Sequence, residues 1–234
     1  MEYLEGFSLE QLVAHEGAQP PGRVVHVVRQ VLGALAEAHG VGLVHRDVKP
    51  ANVILCERGG LADVAKVVDF GLVKDLDAAD ALSHEGMLVG TPLYLAPEAI
   101  RSAGADPRSD LYSVGAVAYF LLTGQHVFDG RTVIEICGHH LHTPPEPPSL
   151  RLGRPVPAEL EKWILSCLEK DPAVRPSTAQ AAAEALDRCT VASDWTPELA
   201  RRWWVGKGRA LAATRGHTAH STVATASGPF ATPN

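Results

Sequence analysis

From Val24 to His39 the apolar residues Val24, Val27, Val28, Val31, Leu32, Leu35 and Ala38 recur at the spacing of one α-helical face. Gly40 and Gly42 end that run. Ser8, with Gln11 three positions later, predicts a capping box opening a short helix over 9–15. Pro20-Pro21-Gly22 separates the two helices. Val53-Ile54-Leu55 and Ala65-Lys66-Val67-Val68 are β-favouring runs around Glu57-Arg58-Gly59-Gly60, a pattern that predicts a hairpin. Residues 72–95 are weakly periodic and mixed in charge, so they read as a loop. Helical periodicity then dominates, over 109–123, 131–140, 157–168 and 177–188. The proline-rich stretch 143–157 between two of these predicts an irregular surface segment. After Thr190 the character changes: Trp195, Trp203 and Trp204 stand among Arg201, Arg202, Lys207 and Arg209. Beyond Thr214 the chain is rich in Ser, Thr, Ala and Gly and reads as disordered.

Composition narrows the function classes. Of 234 residues 46% are hydrophobic and 21% charged, the balance of an ordinary globular protein. A net charge of −6 argues against a nucleic-acid partner, which selects for a basic surplus. Cys56, Cys137, Cys167 and Cys189 are scattered and form no CxxC pair, so they read as buried, reduced thiols of a cytoplasmic protein. The opening Met1-Glu2-Tyr3-Leu4 lacks a secretory pattern. The apolar run 111–122 is shorter than the roughly 20 residues a bilayer crossing takes, so no membrane partner is expected. His139, His140 and His142 have no accompanying carboxylate or cysteine set, and read as surface residues.

The chemistry is concentrated in His45-Arg46-Asp47-Val48-Lys49-Pro50-Ala51-Asn52, followed by Asp69-Phe70-Gly71 and then Ala96-Pro97-Glu98. A carboxylate, a cation and an amide share one loop, and a second carboxylate follows the predicted hairpin. Phosphoryl transfer needs a group to receive a hydroxyl proton and oxygen ligands for magnesium, which these residues supply. The ordered set resembles the serine/threonine protein kinase family, of the eukaryotic-like type found in bacteria.

That resemblance covers residues 1–190 and implies a fold: mainly α with a small β-hairpin, the large C-terminal lobe of a kinase without its N-terminal β lobe. It divides the chain into a hinge remnant (1–7), the lobe (8–190) and a Trp/Arg-containing, partly disordered tail (191–234). It implies ATP and Mg2+ as cofactors and a protein bearing a Ser/Thr acceptor as partner. Asp47 would receive or orient the substrate hydroxyl, Lys49 would contact the transferred phosphoryl group, and Thr91 would bridge the two. Asn52 and Asp69 would hold magnesium, with Phe70 and Gly71 completing the second motif. The backbone at Glu2 and Leu4 would bind adenine over the apolar floor of Ile54. Arg46 would pair with anions on the segment 71–97, the permanent carboxylate of Glu85 ordering it in part and phosphorylation of Ser83 adding to that. Glu98 would meet Arg175, and Asp110 would anchor the catalytic-loop backbone. His45 is expected to pack and hydrogen-bond, not to act as a base.

The family's glycine-rich loop, strand lysine and helix glutamate have no counterpart in these 234 residues. Lys66 stands three residues before Asp69 and belongs to the strand entering that motif. The chain alone is therefore expected to bind ATP weakly, and a separate N-lobe or an intact kinase is an expected partner. A non-catalytic scaffold or regulatory module is the alternative. A small-molecule phosphotransferase fits less well, because Lys49, Gly90-Thr91, Ala96-Pro97-Glu98 and Arg175 match a peptide-docking apparatus.

Overall fold

Ser8 closes a three-residue strand and caps the helix that follows it, and this junction sets the top of the molecule. The computed structural model describes residues 5–70, 92–101, 104 and 106–218. Strand β1 (Gly6–Ser8) runs into helix α1 (Leu9–Glu16). Ser8 Oγ accepts the Gln11 amide at 3.2 Å, and Gln11 Oε1 accepts the Ser8 amide at 2.9 Å. This reciprocal pair is the capping box that the sequence predicts.

Helix α2 (Pro21–Gly40) starts with proline in its first turn, where a missing N–H costs nothing. Its predicted face is the buried one, from Val24 through Leu35. The hairpin forms from β2 (Val53–Arg58) and β3 (Leu61–Val67). Gly59 and Gly60 both take positive φ (58° and 79°), as the two-residue primed turn needs. β1 adds to this hairpin as a third antiparallel strand, with Phe7 opposite Leu55 and Ser8 opposite Ile54. Three residues are too few for a periodic signal, so the sequence does not announce this strand.

The remainder is helical: α3 (Pro97–Ile100), α4 (Pro107–Thr123), α5 (Val133–His142), α6 (Pro148–Leu152), α7 (Ala158–Cys167), α8 (Ala179–Asp187), α9 (Pro197–Trp203) and α10 (Arg209–Thr218). α4 is the central rod, with every residue from Asp110 to Thr123 buried. α2 and α7 pack against it, and α8 packs against α2. No helix among the described residues is long and apolar enough to cross a membrane.

Three expectations are corrected. The proline-rich stretch holds the short helix α6, because Pro148 stands at a first-turn position and Gly153 ends the turn at positive φ. Of the stretch beyond Thr214, residues 215–218 continue helix α10, and 219–234 lie outside the described residues. His140 is no surface residue: it is fully buried on α5, and its Nδ1 lies 2.8 Å from the Tyr112 hydroxyl.

Candidate active site

The catalytic-type loop runs between α2 and β2, and α4 holds it from below. Asp110, in the first turn of α4, is 1 % exposed. Its Oδ2 accepts the His45 amide at 2.9 Å, and its Oδ1 accepts the Arg46 amide at 2.8 Å. His39, in the last turn of α2, adds a third contact, Nε2 to Oδ2 at 2.8 Å. Two backbone donors in a tight turn are thus satisfied by one buried carboxylate, which leaves Arg46 free to take φ 67°.

His45 ties the loop to the residue that follows β3. Its Nδ1 accepts the Asp47 amide at 3.3 Å, so Nε2 carries the proton that it shares with Val68 O at 3.0 Å. Both ring nitrogens are engaged, and the ring packs on Phe70 with centroids 4.6 Å apart. That is a packing and orienting histidine.

Asp47 then faces outward, its side chain 57 % exposed. Lys49 Nζ donates to Asp47 Oδ2 at 2.6 Å. Asn52, which is buried, donates its amide to Asp47 O at 2.9 Å and to Oδ2 at 3.0 Å. These bonds set the carboxylate's rotamer. Asn52 spends its amide nitrogen here, so its remaining polar atom is the carbonyl oxygen Oδ1. The backbone carbonyl of Asn52 accepts the Val68 amide at 2.9 Å, which joins this loop to the segment carrying Asp69. Asp69 is exposed and sits at φ 61°. A carboxylate and a carboxamide are oxygen donors of the kind a hard divalent cation takes, so the chemistry of this set fits magnesium. Among the described residues no three His, Cys, Asp or Glu side chains cluster to form a further metal site.

Ile54 lies in β2, 2 % exposed, opposite Ser8 of β1. Away from the loop, Arg175 donates Nη1 to Glu98 Oε1 at 2.7 Å and Nη2 to Oε2 at 2.8 Å. Burial pushes the Glu98 carboxyl up, but the bonds from Arg175 and from Ser109 (2.6 Å) outweigh it and leave the group below its ordinary range. Arg175 also donates to the carbonyls of Glu169, Arg108 and Lys170, and stands 4.9 Å over the Tyr112 ring.

The structure therefore brings Asp47, Lys49 and Asn52 into one hydrogen-bonded group, sets Asp110 beneath their loop and joins Glu98 to Arg175. Glu2, Leu4, Gly71, Ser83, Glu85 and Thr91 lie outside the described residues. Sequence reasoning missed His39 and Ser109. Neither stands in a motif, and each acts only because α2 and α4 bring it to a carboxylate.

The comparisons agree with this geometry. A model of the protein kinase domain matches residues 1–186. Serine/threonine-protein kinase pkn3 of Myxococcus xanthus is 43% identical over 186 residues, 77% of this chain and 34% of that protein. Serine/threonine-protein kinase PknL of Mycobacterium tuberculosis is 40% identical over 187 residues, 80% of this chain and 45% of that protein. Among solved structures, Rad53 in complex with AMP-PNP superposes with a TM-score of 0.65 at 29% identity, covering 79% of this chain and 45% of that one. The PknI kinase domain of Mycobacterium tuberculosis gives 0.60 at 29% identity, covering 80% and 63%. The chain belongs to the protein kinase family. It spans less than half the length of these two curated relatives, both named as serine/threonine-protein kinases.

Proposed function

We propose that the chain is the catalytic lobe of a cytoplasmic serine/threonine protein kinase, moving the γ-phosphoryl group of ATP to a Ser or Thr hydroxyl of a protein. The observation that carries this reading is Asp47, exposed yet fixed in rotamer by Lys49 and Asn52 on a loop that Asp110 holds. In the proposed step the substrate oxygen bonds to the γ-phosphorus while the bond to the β,γ-bridging oxygen breaks and ADP departs. Asp47 takes the hydroxyl proton, and Lys49 meets the charge on the moving phosphoryl group. Magnesium would be held by Asn52 Oδ1 and the Asp69 carboxylate, and would neutralise charge on the terminal phosphates. Ile54 would lie under adenine, with the backbone of Glu2 and Leu4 at its edge. Thr91 would join Asp47 to Lys49, Gly71 would give Phe70 and Asp69 their turn, and Arg46 would meet Glu85 and phosphorylated Ser83. The AMP-PNP named in the Rad53 structure supports a nucleoside triphosphate as the donor.

The 234 residues contain no GxGxxG loop, so the chain alone supplies half of a nucleotide pocket. We infer that an N-lobe, whether joined ahead of these residues or supplied by another chain, completes it. Calorimetry on the chain alone should find weak MgATP binding, and micromolar affinity would overturn that inference. Fusing the N-lobe of a bacterial relative upstream should yield labelled phosphate on Ser/Thr of a mixed protein substrate. Asp47→Asn should then lower the rate by about 10²–10⁴. No transfer in the fused protein would favour the alternative, a non-catalytic scaffold or regulatory module.

A further inference from the structure

Asp63, in β3, is fully buried at φ 54°, a left-handed conformation that Asp tolerates better than most residues. Its carboxylate takes four N–H donors. Arg23 supplies Nε and Nη2, both at 2.8 Å; Trp195 supplies Nε1 at 2.9 Å, and Trp204 Nε1 at 2.5 Å. Its backbone carbonyl accepts Gln30 Nε2 at 2.8 Å. Arg23 is enclosed as well, donating to Gln19 and standing 3.7 Å over Trp203 and 4.9 Å over Trp195. Half of the carboxylate's donors and both aromatic faces of the arginine thus come from residues 195–204, past the kinase match that ends at 186.

The same tail closes the sheet. β1 is an end strand, yet all three of its residues are buried. Phe7 stacks on Trp204 with centroids 5.1 Å apart and meets Trp203 edge-on at 5.8 Å. α10 packs along β1. Arg209 pairs with Glu57 at 2.8 Å, and Lys207 reaches Glu16 at 2.5 Å. A side chain at Gly208, in the π-helical turn Trp204–Gly208, would stand 2.7 Å from the Trp203 ring and 2.8 Å from that of Trp204, so the close turn requires glycine.

We propose that residues 195–211 are a strap built into the lobe, and that Asp63, Arg23 and Trp204 are positioning residues through which it holds β1 and, by the Ser8–Ile54 pairing, the floor of the nucleotide pocket. The assignment of that floor to adenine rests on the proposed function; the mechanical claim does not. Docking the strap removes the open strand edge and supplies the partners that a buried arginine and aspartate require.

Hydrogen exchange on the full chain, with no nucleotide present, tests this. In Gly208→Val, amides of 6–8 and 54–56 should exchange about tenfold faster together with those of 197–211, while 111–122 keeps its wild-type rates. Trp204→Phe keeps a smaller ring against Phe7 and loses the N–H to Asp63; it should give the same pattern more weakly, and serves if the valine variant does not fold. Faster exchange in 197–211 with β1 unchanged would overturn the proposal, as would uniform acceleration that includes 111–122 in both variants. Because the assay needs no ATP, its failure is separate from a failure of the kinase reading.

Discussion

Two buried arginine–carboxylate pairs hold this lobe, Arg175–Glu98 at the start of α4 and Arg23–Asp63 beside the sheet. Both are bidentate with nitrogen–oxygen distances of 2.7–2.8 Å, and both join segments far apart in sequence. They differ in what surrounds them. Arg175 keeps three backbone carbonyls and the Tyr112 ring besides its carboxylate, so its charge is satisfied from several sides. Arg23 has Asp63, Gln19 and two tryptophan faces from the tail. A buried ion pair gives stability only in proportion to how completely its remaining donors and acceptors are met. The same chemistry therefore makes one pair a local rivet of the family fold and the other a lock that depends on the tail.

Breaking the more dependent pair should cost most. Asp63→Ala leaves the Arg23 charge and two indole N–H groups without their acceptor, and urea unfolding should show a loss of about 3–5 kcal/mol. Glu98→Ala should fall at the low end of that range, near 3 kcal/mol, because Arg175 retains its carbonyls. Equal losses for the two variants would erase the distinction drawn between them.

Acid titration sharpens the picture around α5. Burial, with Lys170 nearby, pulls the His140 imidazole down to about 4. A histidine kept neutral in the fold but protonated when unfolded contributes stability that is whole above about 6.5 and drains away as pH falls toward 4. Up to about 3 kcal/mol is at stake over that window. Glu98, held low, loses its contribution only below the ordinary carboxylate range. His140→Gln, which can still meet the Tyr112 hydroxyl, should flatten the slope between pH 6.5 and 4.5; an unchanged slope would show that another group controls it.

The smallest effect lies at the head of α1. Ser8→Ala removes the acceptor for the Gln11 amide and should cost about 1 kcal/mol in thermal or urea unfolding.

Much of the fold was readable in the chain. The α1 capping box, the α2 face, the hairpin and the α4 run all follow from local spacing, which needs no knowledge of distant partners. The catalytic-type loop was readable for a different reason: Asp47, Lys49 and Asn52 lie within six residues and meet one another across a single turn. The Glu98–Arg175 meeting was legible only through the family resemblance. β1 was hidden because three residues carry no period, and His140 because burial of one histidine among three depends on which way α5 faces. Asp63 had no signal at all, since an isolated acid between a glycine turn and the run that starts at Ala65 reads as a solvated residue until α2 and the tail enclose it.

Local order, capping and the composition of the reactive loop were determined by the amino-acid sequence alone, because they depend on contacts a few residues apart. The role of the tail and the burial of Asp63 and Arg23 were decided only in three dimensions. Each depends on desolvating a charge, and a charge is desolvated only when elements from distant parts of the chain close around it.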